Sequence, residues 1–420
     1  MFKYTLASAV ALFGSSEATV TNDQIHFVQE VVRHGARAPS SDSAGFPVYG
    51  GQLTPQGMRQ RYLLGQFNRE KYITEYELLS TKDEIYVQTT SYERTFQSAY
   101  SELMGMFPPG TLSESEMLTQ TQLDGFNVNG RGMPPMSIRN ADALNTDLGR
   151  DPLPNGFVSV PVHNFNNATP DDDINMSGCT YVADVDGYTF PAESTYTSVD
   201  YLITDLSAPI GVAFGLSQEE VDTMTFMDLY GYCDIIQCRE FQQVPLNYTY
   251  DATQLAQINQ TVLETLVLPL DDPILSRNMY VSKQIRAFLD KAIQIIYPET
   301  VTTEGDNLKY VLYSAHDWTV SQHLLFLDAN NGNFTNLPFA SQVNYELHST
   351  DNCADSSCYW VEVFYNNDRQ IFGGDCAVPD MCTYDEFLAM LDRKGFVHTT
   401  THYVDECATP WTPPTQSYVQ

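Results

Sequence analysis

Apolar residues Ile25, Phe27, Val28, Val31 and Val32 crowd the stretch before Arg33 and predict a buried strand. That strand stops abruptly in a loop holding Arg33, His34, Gly35, Arg37 and Pro39. Downstream, Thr54-Pro55 supplies a capping hydroxyl and a first-turn proline, and the segment through Tyr72 places Tyr62, Leu63 and Phe67 on one apolar stripe, which predicts a helix. A short strand at Ile85 to Val87 leads into TTSYERTFQSAYSELMGMF, where Phe96, Tyr100, Leu103, Met104 and Phe107 recur at helical spacing. Arg94 therefore opens a helix directly after a strand, where free N–H groups and the positive end of the macrodipole favour anions.

From about Pro108 to Pro269 the pattern changes to Asn/Asp-rich loops and helical pieces such as LSQEEVDTMTFMDLYG, in which Ser217 and Glu220 form a capping-box pair. This part reads as an inserted, mostly helical and loop-rich cap, residues 108–269. The run Asp171-Asp172-Asp173 reads as a solvated loop in preference to a calcium cluster. A long amphipathic helix from Ser276 to Tyr297 returns the chain to the core. LKYVLYSAHDWTVSQHLLFLDA then gives a strand from Lys309 to Tyr313, a loop from Ser314 to Asp317, and a helix with Leu324, Leu325 and Leu327. VNYELH and YWVEVFYN pair as an antiparallel hairpin, and Thr383 with Glu386 caps a last helix. Three strands, each followed by a helix, release Arg33/His34/Arg37, Arg94 and His316/Asp317 at their carboxyl ends. In an open α/β sheet those ends share one edge, where ligands bind.

Bulk properties narrow the chemistry. The chain of 420 residues can bury a core of two or so structural units. With 53 acidic against 21 basic residues, a formal charge of -32 argues against nucleic acid, so any anion site must be a local gathering of the few arginines. Residues 1–18 (Lys3, an apolar run from Leu6 to Phe13, then Ser16-Glu17-Ala18) read as a secretory signal, with a mature chain beginning near Thr19. No later segment is long and apolar enough to span a membrane, and a soluble protein, secreted or in the lysosomal lumen, is expected. The 8 cysteines fit disulfides better than a metal. Sequons at Asn167, Asn175, Asn247, Asn259 and Asn333 fit surface glycosylation.

Planar guanidinium forks match phosphate oxygens, and an imidazole set between cations keeps its neutral, nucleophilic form. Phosphoryl transfer needs charge neutralisation, an in-line nucleophile and a proton for the leaving alkoxide. In that scheme Arg33, Arg37, Arg94 and His316 surround the phosphoryl group, His34 attacks phosphorus, and Asp317 protonates the leaving group and then assists water. Gly35 would clear the approach of a ligand to the backbone.

VVRHGARAP, LTPQGMRQRYLLGQF, the ERTFQSA helix start, FVSVPVH and YSAHDWTV resemble the histidine acid phosphatases over about Gln24 to Cys407. The resemblance implies an α/β fold in which a large three-layer domain (residues 19–107 and 270–409), with a central mainly parallel sheet flanked by helices, carries the smaller helical cap and a polar tail (410–420). It also implies hydrolysis of phosphate monoesters through a phosphohistidine at His34, with no metal or other cofactor, phosphate ligation by Arg33, Arg37, Arg94 and His316, and proton donation by Asp317. Cys179–Cys407 and Cys376–Cys382 follow the family arrangement. Cys353–Cys358 is a local inference, and so is Cys233–Cys238, because Gln342 stands where animal members have the partner of Cys233. Gln88 stands where relatives commonly carry an arginine, so one positive group near the site is expected to be missing.

Small phosphate monoesters are the expected partners, with phosphoproteins and lysophospholipids as candidate larger substrates, and relatives often form homodimers. A phytase or inositol-polyphosphate phosphatase is the main alternative. It is disfavoured because Arg131, Arg139, Arg150 and Arg239 are the only cations of the cap. A mutase is disfavoured by the secretory signal, and a non-catalytic phosphate-binding module by the completeness of the site residues.

Overall fold

The fold is taken from a computed structural model. The residues described are 23–129, 133–157, 159–165, 172–174, 179–189, 199–267, 281–300, 307–328, 337–350, 353, 355–396 and 398–411. The expected signal segment, Asp171, Arg131, the sequons at Asn167, Asn175 and Asn333, the first turns of the helix expected from Ser276, and the tail beyond 411 lie outside them.

A 7-stranded sheet forms the centre, with strands β1 (Asp23–Arg33), β2 (Ile85–Thr89), β3 (Tyr310–Ala315), β4 (Gln342–Thr350), β5 (Tyr359–Tyr365), β6 (Asp368–Arg369) and β7 (Cys382–Thr383). Its order is β2-β3-β1-β4-β5-β6, and β7 pairs with β5. β2, β3 and β1 run parallel, and β4 to β7 form an antiparallel wing. Arg33 pairs with Ala315 and Thr89 with Ser314, so the three parallel strands end level with one another. β3 runs two residues past the expected Tyr313 and leaves His316 as the residue capping the next helix.

The helices are α1 (Pro55–Arg69), α2 (Glu93–Met106), α3 (Gln120–Asn129), α4 (Ala141–Leu148), α5 (Thr180–Thr189), α6 (Asp200–Phe214), α7 (Gln218–Asp222), α8 (Phe226–Gln242), α9 (Ala252–Val267), α10 (Ser282–Ile296), α11 (Asp317–Leu327), α12 (Tyr384–Arg393) and α13 (Thr400–Ala408). One face of the sheet packs Phe27, Val31, Tyr313 and Tyr345 against α10, α11 and α12. The other packs Val28, Val32, Tyr310 and Leu312 against α2 and the 160s segment. Between residues 199 and 267, α6, α8 and α9 enclose their own apolar cluster around Leu202, Leu206, Leu229 and Ile258. The capping boxes at Ser217/Glu220 and Thr383/Glu386 form as expected.

The α1 stripe is the reverse of its expectation. Tyr62, Leu63 and Phe67 are 38%, 58% and 39% exposed, whereas Gly57, Arg61, Gly65 and Asn68 face inward. Tyr100 of α2 is likewise exposed, and Thr95, Ser98 and Glu102 are buried instead. The cause is backbone-to-backbone packing of α1 on α2: a Cβ on Gly65 would lie 2.0 Å from the Glu102 carbonyl oxygen, and one on Gly105 would lie 2.3 Å from that of Tyr62. Helices this close leave no room for Leu or Phe. The inward Arg61 is neutralised by Glu102 and Glu30, which Asn68 bridges by donating to both carboxylates. Two carboxylates share one guanidinium, and burial together with Glu102 pushes the Glu30 carboxyl up to about 8.

Two further readings are corrected. Asp172 and Asp173 do not lie in a solvated loop. Asp172 is buried and accepts from Gln88 Nε2 at 3.1 Å, and Asp173 accepts from the Tyr313 hydroxyl at 3.0 Å. Cys233 and Cys238 are not bridged: both are buried thiols on α8. Five positions along a helix separate two residues by about 7.5 Å of rise and roughly 140° of rotation, beyond the reach of a disulfide. The other three bridges, Cys179–Cys407, Cys353–Cys358 and Cys376–Cys382, are formed. Asn247 is exposed, whereas Asn259 is half-buried on α9 and accepts from Gln237 Nε2 at 2.8 Å.

Gly105→Ala should destabilise the fold by about 1–3 kcal/mol, as overpacking does, read as a lower unfolding midpoint; an unchanged midpoint would contradict the close approach. Thiol titration of the denatured, unreduced protein should count two thiols, Cys233 and Cys238, and none would restore the bridge. At the far end of the sheet, burial opposes the charge of His348, but its bonds to Asp23 and Glu346 prevail and raise it to about 9 from 6.5. The folded chain then holds a proton that the unfolded chain has released, so this contribution is complete below pH 6.5 and is lost as pH rises to about 9. The unfolding temperature should fall across that interval, with His348→Gln flattening the fall; an equal slope in both proteins would contradict it.

Candidate active site

The carboxyl ends of β1, β2 and β3 deliver the candidate residues to one edge of the sheet. The chain leaving β1 is fixed by backbone bonds: Arg33 N–H donates to Ser341 O (2.8 Å), His34 N–H to Ala315 O (3.1 Å), and Ala340 N–H to His34 O (2.9 Å). Gly35 then passes against α1, where a Cβ would lie 2.3 Å from the Gly57 carbonyl oxygen. Its missing side chain thus makes room for a helix backbone, in contrast to the ligand expected there.

His34 is 2% exposed, and its Nδ1 lies 2.8 Å from the Gly35 carbonyl oxygen. A carbonyl only accepts, so Nδ1 carries the proton and Nε2 is left with a free lone pair. Burial first, then the charges of His316, Arg37, Arg33 and Arg94, hold this imidazole well below its ordinary pKa. It stays neutral in mild acid. All four neighbours are residues expected at the site, and each acts directly on His34.

The three arginines are held in different ways. Arg33 pairs with Asp317 Oδ2 through Nη2 (2.7 Å), donates to Leu337 O through Nη1, and lies over the Phe339 ring at 4.3 Å. Arg37 pairs with Asp234 Oδ1 through Nη2 at 2.7 Å. Arg94 stacks on Tyr92 at 4.3 Å. No acidic partner of Arg94 occurs among the described residues, and burial followed by repulsion from Arg37 lowers its pKa to about 10. In all three the buried Nε has no hydrogen-bond partner. Arg61 and Arg239 share this feature, but both are covered by carboxylates away from the edge.

His316 lies with its ring 5.5 Å from that of His34 and with Nε2 2.9 Å from the Thr90 hydroxyl. Burial and Arg94 lower its pKa to about 3. Asp317, the first residue of α11, accepts from Trp318 N–H at 2.9 Å. Burial alone would raise its carboxyl, but Arg33, His316 and Arg37 outweigh burial and hold it low. Without a substrate it is therefore a carboxylate.

The residues missed from the sequence are Thr90, Tyr92 and, on α8, Asp234 and Gln242. Gln242 donates to the Arg37 carbonyl at 2.8 Å. The spacing of Tyr230, Asp234 and Cys238, four apart on one helix, was the available sign that α8 turns a polar stripe toward the site. Gln88, in place of an arginine, is buried against Asp172.

A neutral, buried imidazole with a free Nε2, set among guanidiniums whose Nε–H groups lack acceptors, is the equipment of an α/β enzyme for oxyanion esters. The chain belongs to the histidine phosphatase superfamily, branch 2, whose family model matches residues 42–366. It is 23% identical to lysosomal acid phosphatase of Rattus norvegicus over 383 residues, 88% of this chain and 77% of that protein. It is 24% identical to prostatic acid phosphatase of Homo sapiens over 375 residues, 86% of this chain and 82% of that protein. Among solved structures, the phytase from Citrobacter braakii shares the fold with a TM-score of 0.58 at 14% identity, covering 92% of this chain and 100% of that one.

Proposed function

We propose that this enzyme is an acid phosphatase in which His34 Nε2 attacks phosphorus in line with the leaving oxygen. Arg33, Arg37, Arg94 and His316 take the non-bridging oxygens, and Asp317 gives its proton to the leaving alkoxide. The phosphohistidine is then hydrolysed by a water that Asp317 activates. The observation that carries this reading is the tautomer of His34: the Gly35 carbonyl fixes the proton on Nδ1 and leaves the nucleophilic nitrogen unprotonated. Arrival of an anionic phosphoryl group opposes the cations that hold Asp317 low, so binding itself raises its pKa and loads the proton.

Simple monoesters fit better than inositol polyphosphates. Among the described cations of the insert, Arg150 pairs with Glu114 and Arg239 with Asp42, which leaves the exposed Arg139 alone to take additional phosphates. The disulfides fit an oxidising compartment, secreted or lysosomal, and among the described residues no helix is long and apolar enough to cross a membrane.

His34→Ala should abolish turnover of an aryl phosphate at acid pH while keeping the fold. Arg94→Ala should lower kcat/KM by an amount corresponding to about 1.5–3 kcal/mol, the loss of one charged hydrogen-bonding group. Brief labelling with a radioactive monoester should leave acid-labile label on the wild type and none on His34→Ala. Undiminished turnover by His34→Ala would remove the nucleophile from this account.

A further inference from the structure

The charge of the cluster does not follow from the three arginines alone. Asp317 neutralises Arg33, and Asp234, reaching in from α8, neutralises Arg37. With His34 and His316 neutral, three guanidiniums face two carboxylates, and one net positive charge remains. That charge is on Arg94.

We infer that Asp234 sets the charge of this site so that a phosphate monoester binds together with one transferable proton. The inference rests on the acid-phosphatase reading and extends it to the charge form of the substrate. A monoester passes from one negative charge to two near pH 6. The monoanion brings the site to neutrality with Asp317 still a carboxylate. The dianion brings it to neutrality only when Asp317 takes up a proton. Both routes give the same neutral complex, which holds the one proton that the leaving alkoxide needs. Above pH 6 that proton must be drawn from an increasingly alkaline solution, and binding weakens. Without Asp234 the site would carry two positive charges and would accept a dianion with Asp317 unprotonated.

The position of Asp234 suits this role. Its side chain is only 15% exposed, at 2.7 Å from Arg37. The other groups acting on the pair are His34 from the end of β1, Arg94 from α2, His316 and Asp317 from the start of α11, and Tyr230, Cys233 and Cys238 from α8 itself. Burial raises the pKa of the tyrosine and of both thiols, so none of the three adds charge in the acid to neutral range. Arg37 is also held by Gln242 at its carbonyl, which keeps the loop anchored when the carboxylate is removed.

The test is the dissociation constant of inorganic phosphate, measured by calorimetry at about pH 5 and about pH 8.5, on either side of its second ionisation, which lies about one unit above that of a monoester. The wild type should bind more weakly at the higher pH. Asp234→Asn should bind more tightly than wild type there, on the order of ten-fold, with a smaller gain at pH 5. Asp234→Glu, which keeps the charge, should follow the wild type. With an aryl phosphate at the higher pH, Asp234→Asn should show a lower KM and a lower kcat, because substrate enters without its proton. Equal or weaker phosphate binding by Asp234→Asn at both pH values would make Asp234 a purely structural partner of Arg37 and overturn the inference. If Asp234→Asn does not fold, wild-type affinity that fails to weaken at the higher pH overturns it equally. A wild type that binds phosphate with this pH dependence but turns over no monoester would sink the phosphatase reading alone.

Discussion

Like charges crowded into a buried space are the constraint on which this molecule is built. Arg33, Arg37 and Arg94 all act on the same imidazole, and Arg94 is lowered to about 10 by burial and by Arg37. Such a cluster persists only where the backbone leaves the side chains no alternative. Here the ends of three parallel strands, locked by the pairings Arg33 with Ala315 and Thr89 with Ser314, supply that rigidity. Two carboxylates from separate helices, Asp317 and Asp234, cancel part of the repulsion without filling the Nε positions. The stored repulsion is available to an arriving anion.

The layer behind the site repeats the theme with opposite sign. Glu30, on the same strand as Arg33, and Glu102 of α2 share Arg61, whose Nη1 also donates to the Ala340 carbonyl at 3.2 Å. Ala340 in turn donates its N–H to His34 O. A buried polar network thus joins the α1–α2 layer to the loop that carries His34, and the glycine contacts at Gly35, Gly57, Gly65 and Gly105 set the spacing at which it closes. Replacing either partner of such a network leaves a buried charge uncompensated, at a cost of about 3–5 kcal/mol.

The sequence disclosed the site far better than the layer beneath it. Arg33, His34, Arg37, Arg94, His316 and Asp317 were legible because each follows an apolar strand, and strand ends of an α/β sheet converge. The α1 stripe was misread because hydrophobic periodicity assumes that large apolar side chains mediate helix contacts. Gly65 and Gly105 let backbones meet directly, and polarity inverts. Asp172 and Asp173 were misread because three adjacent acids look solvated, and nothing local reveals that Gln88 waits as a donor to the first and Tyr313 to the second. Asp234 was hidden for a similar reason: its partner lies 197 residues away, in a loop that α8 reaches only after folding. The Cys233–Cys238 pairing followed from the loss of the usual partner of Cys233 at Gln342 and the nearness of a spare cysteine, without the geometry of the helix that carries both.

The surface and the site also carry opposite charge. A chain of formal charge -32 repels anions at long range, so affinity must come from short-range, charge-assisted bonds to a few arginines. An acidic medium suits both levels, because it discharges surface carboxylates and would supply the proton that the proposed mechanism places on Asp317. The most direct test of the central claim is a crystal structure with vanadate bound. Vanadium should lie within bonding distance of His34 Nε2, with its equatorial oxygens on the guanidiniums of Arg33, Arg37 and Arg94. Vanadate bound elsewhere, or bound with His34 Nε2 turned away from it, would contradict the account.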